Sequence, residues 1–334
     1  MKNATVIFII LIFTVVIGFY LKNNLSSESN NSTDTDKLKV VFSYVKTHQL
    51  ASIVASEEGF FKKYNLKVEM EKVDKNVNTV LIGGKADMAV GAPSTFLTAS
   101  IEGAELSWVG TAANDHHAVL ISNKPLQEIK VVGTQSGVSR LLTINALKNL
   151  GIDTKSITFQ DTGSLQAKYG AFVEKKIDAI FTPESDWLIF KKKANNREEF
   201  ITLANSEVDE SLQIPSTIIV RNSFLKEKRK AVENFAKAII EADNWIIKHP
   251  KETSKDLVKN SPELSEEDAS IYVNSYIPAV KNLKFAPSKE KVKSLLGLLQ
   301  AENPKAKDFT EEKFISSEIA SSLQKSGFLS QFGF

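Results

Sequence analysis

The chain has 334 residues, 42% of them hydrophobic and 25% charged, a balance that excludes a disordered or fibrous protein and allows a substantial core. Lys+Arg 42 against Asp+Glu 40 leave a formal charge of +2, so no charge excess recruits nucleic acid. Cys 0 excludes disulfides, thiolate metal sites, cysteine nucleophiles and a lipid-modified N-terminal cysteine, and the length argues for two lobes.

Ala4 to Leu21 is an uncharged, mostly apolar run flanked by Lys2 and Lys22. It exceeds the roughly 7–15 apolar residues of a secretory signal and sits at the lower limit for a membrane span. Residues 1–22 therefore read as a membrane anchor or signal segment. An uncleaved anchor is favoured because Gly18-Phe19-Tyr20-Leu21 offers no small-x-small cleavage site. The N-terminal amine and Lys2 put the N-terminus in the cytoplasm by the positive-inside rule, which leaves the rest outside. Residues 23–37, beginning NNLSSESNNSTDTD, read as a solvated polar tether.

The body alternates short β-branched runs with stretches of helical period, the pattern of an α/β fold with mainly parallel strands. The expected order is strand Lys39–Tyr44, helix Leu50–Tyr64, strand Leu66–Val73, helix Asn76–Gly83, strand Asp87–Gly91, helix Ser94–Glu102 and strand Leu106–Thr111. After Pro125 come strand Glu128–Gly133, helix Ser139–Leu150, strand Ser156–Gln160, helix Ser164–Lys175, strand Asp178–Thr182 and helix Glu184–Lys192. The two series resemble each other at an offset of about 90 positions. Gly84-Lys85-Ala86-Asp87-Met88-Ala89-Val90, ending at Pro93, matches Lys175-Lys176-Ile177-Asp178-Ala179-Ile180-Phe181, ending at Pro183.

Extended runs at Val119–Ser122 and Ser216–Val220 read as the joins between two lobes. Residues 38–121 and 217–334 then form lobe 1 with a helical C-terminal part, and residues 122–216 form lobe 2. The C-terminal part places helices at Lys228–Lys248, Glu263–Tyr276, Lys289–Leu299 and Glu311–Lys325, the first stopped by His249-Pro250. In open α/β sheets, ligands bind beyond the C-terminal strand ends, so facing lobes define an interlobe cleft for a small molecule.

Enzyme signatures are missing: no phosphate-binding Gly-x4-Gly-Lys-Ser/Thr loop, no Gly-x-Gly-x-x-Gly after a strand, and no His-Glu-x-x-His. Gly133-Thr134-Gln135-Ser136-Gly137 has its serine one position away from a nucleophile elbow. His116 and His117 beside Asp115 are neighbours on a strand and point to opposite faces, so they read as a strand-end pair and not as metal ligands. No catalytic residue, metal or cofactor is expected.

What is present suits an anion. Between a strand and a helix, the loop Gly133–Arg140 offers glycines for close backbone approach, hydroxyls at Thr134, Ser136 and Ser139, and the free amides of a helix start. Gly137 and Arg140 complete that candidate set, Arg140 as a bidentate contact. The first lobe supplies Gly91, Ser94 and Thr95, and the loop after its first strand supplies Tyr44, Thr47 and His48. Thr182 and Glu184 stand at the start of another helix, where Glu184 and Asp186 would either pair with a ligand ammonium or serve the helix dipole. Trp187 reads as core.

Three of these segments carry a family resemblance. Glu58-Gly59-Phe60-Phe61-Lys62-Lys63-Tyr64-Asn65-Leu66-Lys67-Val68-Glu69 resembles the Gly-Phe-Phe-Lys-Lys-x-Gly-Leu-x-Val-Glu signature of periplasmic-type substrate-binding proteins of ABC importers, in the nitrate/sulfonate/taurine and thiamine-precursor branch. Gly84–Pro93 is similar to that branch's Gly-x-x-Asp-x-Ala-x-Gly element, and Gly133–Arg140 sits where it keeps a second-lobe ligand loop. The family glycine of the first signature is Asn65 here, which a left-handed turn tolerates. Of the thiamine-precursor subgroup's Trp-x-Pro-Asn-x-x-His pattern only His48 survives. The resemblance covers roughly residues 38–250. It implies a two-lobed periplasmic-binding-protein fold and an extracytoplasmic, monomeric receptor, tethered or secreted, that makes and breaks no bond. Such a receptor captures a small organic anion such as a sulfonate and delivers it to ABC permease subunits. A precursor pyrimidine, a cofactor-biosynthesis enzyme and a ligand sensor are the alternatives.

Overall fold

The computed structural model describes residues 35–43, 46–73, 77–134, 138–194, 200–205, 214–301 and 303–334. The anchor segment and nearly all of the tether lie outside these residues. Among the described residues no helix is long and apolar enough to cross a membrane.

Strands β1 (Asp36–Ser43), β2 (Leu66–Val73), β3 (Met88–Gly91), β4 (Leu106–His116) and β10 (Ile214–Arg221) form one five-stranded sheet in the order β2-β1-β3-β10-β4. Strands β5 (Ala118–Ser122), β6 (Val131–Thr134), β7 (Thr158–Asp161), β8 (Ala179–Pro183) and β9 (Ile201–Asn205) form the second, in the order β7-β6-β8-β5-β9. The helices are α1 (Lys46–Glu57), α2 (Phe60–Lys63), α3 (Val77–Ile82), α4 (Pro93–Ile101), α5 (Val138–Asn149), α6 (Leu165–Val173) and α7 (Glu184–Lys193). The C-terminal part adds α8 (Asn222–Lys248), α9 (Pro250–Asn260), α10 (Glu266–Lys281), α11 (Lys289–Leu299) and α12 (Glu318–Lys325).

Both sheets are mixed. β1 runs parallel to β3, and β6 runs parallel to β7 and β8. β10 is antiparallel to β3 and β4, and β5 is antiparallel to β8 and β9. The antiparallel halves depart from the mainly parallel expectation for a topological reason. A strand that enters from the other sheet has no βαβ crossover to impose a parallel direction. The chain leaves the first sheet after β4, and Ala118–Ser122 already pair with the second. The passage thus lies at His117, one strand earlier than the lobe boundary at residues 121 and 122 read from the sequence.

Side-chain alternation divides each sheet's two faces. Val40 and Phe42 pack with α1, α8 and α10, whereas Val41 packs with α3, α4 and α11. In the second sheet Leu120 and Val119 are divided in the same way. Helix α8 buries Val232, Phe235, Ala236, Ile239 and Ile246, as its three- and four-residue spacing requires. Full burial of the valine, phenylalanine and isoleucine side chains contributes about 1.5–3 kcal/mol each.

Local deviations have tertiary or capping causes. Asn65 takes the left-handed conformation (φ 55°) that its place in the signature demands. Pro250, read as a helix stop, also stands at the first position of α9, where its missing N–H costs nothing. The expected helix Glu311–Lys325 is instead a short 3-10 turn at Glu311–Lys313 followed by α12. The residues between them join β4: the Trp108 amide donates to Phe314 O at 2.7 Å and the Ser316 amide to Trp108 O at 3.0 Å. Edge pairing there outweighs helical propensity.

Candidate functional site

At the C-terminal end of β3, Gly91 pairs in register with Thr217 of β10, whose hydroxyl donates to the Gly91 carbonyl at 2.8 Å. Helix α1 packs its first turn into the same region. His48 is fully enclosed and its Nδ1 shares a short hydrogen bond with the Ser216 hydroxyl. Burial pulls the imidazole down to about 4, so it is neutral at physiological pH. Thr47 beside it is buried, and its hydroxyl has no partner among the described residues. Ser94 is buried and Thr95 half-buried at the start of α4, which opens on Pro93.

In the second sheet, Thr134 ends β6 and is buried; its carbonyl accepts from the Thr162 amide at 3.0 Å and the Thr162 hydroxyl at 3.1 Å. The Thr182 hydroxyl meets the Tyr169 hydroxyl at 2.5 Å. Ser139 is half-buried and its carbonyl accepts from the Thr143 hydroxyl at 2.7 Å. Arg140 is exposed and lies over the Phe159 ring, 5.3 Å from its centroid. Gly133 answers to packing: a Cβ there would stand 2.3 Å from Ile177 Cδ1, so the missing side chain admits Ile177 from the turn before β8. Tyr44, Ser136 and Gly137 lie outside the described residues.

The start of α7 joins the two sheets. The Glu184 amide donates to His117 O at 2.9 Å, and its carboxylate stands 3.7 Å from His117 Nδ1, at the point where the chain passes between sheets. Asp186 accepts from the Tyr272 hydroxyl of α10 at 2.6 Å. Burial raises its carboxyl, opposed by the Tyr272 hydrogen bond and by the charges of Lys168 and Lys46. Lys46 belongs to α1, so the first turns of α1 and α7, one from each sheet, lie within electrostatic reach of each other. Lys168, almost wholly buried, donates to Phe181 O at 2.7 Å; burial pulls its ammonium down to about 8 while Asp186 works the other way. Trp187 packs in the core against Phe172, Phe190 and Phe200.

Sequence reasoning missed Ser216, Thr217, Lys168, Tyr169 and Tyr272. None lies in a loop after a parallel strand, the signal on which the candidates were chosen. Lys168 was legible only as a lone lysine at the Leu165, Tyr169 and Phe172 spacing of an otherwise apolar helix face. No group of three or more potential metal ligands occurs among the described residues.

Two mixed sheets flanked by helices and linked by two passages of the chain match the fold of the periplasmic binding proteins. The structure is similar to the periplasmic nitrate-binding protein of Synechocystis PCC 6803, with a TM-score of 0.70 at 15% identity over 89% of this chain and 90% of that one. It is also similar to the periplasmic aliphatic sulphonate binding protein of Escherichia coli, with a TM-score of 0.65 at 17% identity over 80% of this chain and 93% of that one. The NMT1/THI5-like family model matches residues 46–253, more than half of the chain, and the protein belongs to that family. A Haemophilus influenzae protein named for thiamine biosynthesis is 25% identical over 242 residues, covering 66% of this chain and 71% of that one.

Proposed function

We propose that this protein is an extracytoplasmic solute receptor that closes on a small organic anion, sulfonate-like in chemistry, and delivers it to an ABC permease. The observation that carries the reading is that α1 and α7, each beginning where a parallel strand of a different sheet ends, start within electrostatic reach of each other through Lys46 and Asp186. That geometry lets one small molecule contact both sheets, and ligand contacts that differ between open and closed states favour closure. The lobes in this reading are the two sheets with their helices, joined at His117 and across residues 206–213, and the hydroxyls of Ser94, Thr134 and Thr182 are the donors an oxyanion needs. The same reading makes the body a monomer held by its N-terminal segment, or released after cleavage, with no bond made or broken in the cleft. A neutral, buried His48 favours a second reading, in which an uncharged ring such as a thiamine-precursor pyrimidine is held between His48 and the hydroxyls.

A thermal-shift panel on the full-length chain tests both, using taurine, alkylsulfonates, nitrate, bicarbonate and hydroxymethylpyrimidine. A ligand specific to the folded state at a hundred times its Kd adds about 2.7 kcal/mol to stability. A saturable shift with a sulfonate, weakened roughly tenfold in affinity in Ser94→Ala by loss of a charge-assisted hydrogen bond, supports the first reading. A shift with the pyrimidine alone, lost in His48→Ala, supports the second, and no shift with any compound removes both ligand assignments.

A further inference from the structure

Helix α10 carries Asp268, Tyr272 and Tyr276 at four-residue spacing, which places them one above another on a single face. Tyr276 fixes that face to the first sheet's body: its hydroxyl donates to Asp243 Oδ1 of α8 at 2.9 Å and lies 3.3 Å from the Ala112 carbonyl of β4. The other two reach α7, which follows directly from β8 of the second sheet. Tyr272 donates to Asp186 at 2.6 Å, and Asp268 meets Lys192 at 3.5 Å and Lys193 at 3.3 Å. Lys192 also pairs with Glu267 at 2.5 Å, and Ile189 of α7 is buried in the first sheet's core.

We propose that this stripe of α10 is a clasp between the two sheets, with Tyr272 and Asp268 as positioning residues that fix the first turn of α7, and so Glu184 and Asp186, relative to the first sheet. The two contacts are unequal. Asp186 and Tyr272 are enclosed, so separating them leaves a buried carboxyl without its donor. Asp268 is buried, Lys192 half-buried and Lys193 and Glu267 exposed, so these ion pairs face solvent at their outer ends, where they are weaker and are screened by salt. The clasp is therefore held by Tyr272 and trimmed by the ion pairs. Movement of one lobe against the other then pivots at α7 and α10. The inference rests on the two-lobe reading above but not on any ligand.

The chain has no cysteine, so Lys67→Cys on β2 and Lys155→Cys before β7, both exposed, accept spin labels without further change. Pulsed electron-electron resonance on the full-length chain then reads the distance between the sheets. The expected result is one narrow distribution in the parent, a longer and broader one in Tyr272→Phe, and a smaller broadening in Lys192→Ala/Lys193→Ala. About 1 M salt, where the screening length is about 3 Å, matches the double-lysine change. Asp186→Asn, which keeps an acceptor for Tyr272, retains the parent distribution, whereas Asp186→Ala does not. A distribution unchanged in Tyr272→Phe and Asp186→Ala, with both variants melting cooperatively, overturns the clasp. Should the ligand panel fail while Tyr272→Phe widens the distances, the ligand assignments fall and the clasp stands; binding with unmoved distances gives the reverse.

Discussion

The two sheets place the same aspartate in the same structural position and then diverge one turn later. Asp87, opening β3, accepts the Lys39 amide of β1 at 2.9 Å, and Asp178, just before β8, accepts the Lys130 and Val131 amides beside β6 at 2.9 Å. Each carboxylate receives amides at the point where pairing with the neighbouring parallel strand begins. Arg221 pairs with Asp87 at 3.2 Å, and Lys124 pairs with Asp178 at 2.7 Å. After the proline the halves differ: α4 begins with hydroxyls at Ser94 and Thr95, and α7 begins with carboxylates at Glu184 and Asp186. The repeated residue thus serves the fold, and the unrepeated ones are where the two helix starts part in chemistry.

The largest test of that comparison removes the aspartates. Asp178 is buried and holds two amides and an ammonium, so Asp178→Ala is expected to cost about 3 kcal/mol. Asp87 holds one amide and the Arg221 guanidinium in a more open setting, and Asp87→Ala is expected to cost about 1 kcal/mol. Urea titration of both variants reads the difference, and equal costs would break the asymmetry.

Gly133→Ala should follow, at about 2 kcal/mol by the same titration, because Ile177 must move to admit a methyl group. If it left stability intact but abolished binding of a panel compound, Gly133 would belong to the ligand site after all.

Buried acids give a smaller contrast. Asp178 has a cationic partner, whereas Asp243, under the first sheet, is held by the Tyr276 hydroxyl and its Oδ2 has no partner among the described residues. Burial raises the Asp243 carboxyl well above the usual range, against the Tyr276 hydrogen bond. Its stabilising share is complete below the unfolded value and is lost as pH rises through the raised one. Asp243→Asn, which copies the protonated shape, is expected to change stability by less than about 1 kcal/mol, as thermal melts would show.

Acid sensitivity should separate the sheets by window. Burial lowers His48 from 6.5 to about 4, so its share of stability is present above about 6.5 and is lost as pH falls toward 4. For Asp178 burial acts to raise the carboxyl, but Lys124 and the two amides outweigh it and hold it below its ordinary value. Its share persists above the unfolded carboxylate value and is lost only as pH falls through the depressed one. Melting temperatures against pH should therefore show a first decline that His48→Gln flattens and a later one that Asp178→Asn flattens. A first decline untouched by His48→Gln would contradict the neutral, buried imidazole.

The sequence determined the parts governed by neighbours along the chain. Alternating β-branched runs and helical spacing located β2 and α11 to the residue, and a repeated Asp-apolar-Pro pattern exposed two like halves before any coordinates. The left-handed turn at Asn65 was legible because few residues besides glycine accept it. Tertiary structure decided what depends on residues far apart in sequence. The antiparallel halves of both sheets, the transfer of Ala118–Ser122 to the second sheet and the β4 pairing that interrupts the last expected helix all depend on which edges are free to be paired. The candidate site divides in the same way. Loops after parallel strands pointed to Ser94, Thr134 and Thr182, while Ser216 beside His48, and Tyr272 beside Asp186, lie 168 and 86 positions from their partners. Local spacing has no term for contacts of that range; burial creates them, because a polar group taken out of water must be met by whatever partner the packed chain brings to it.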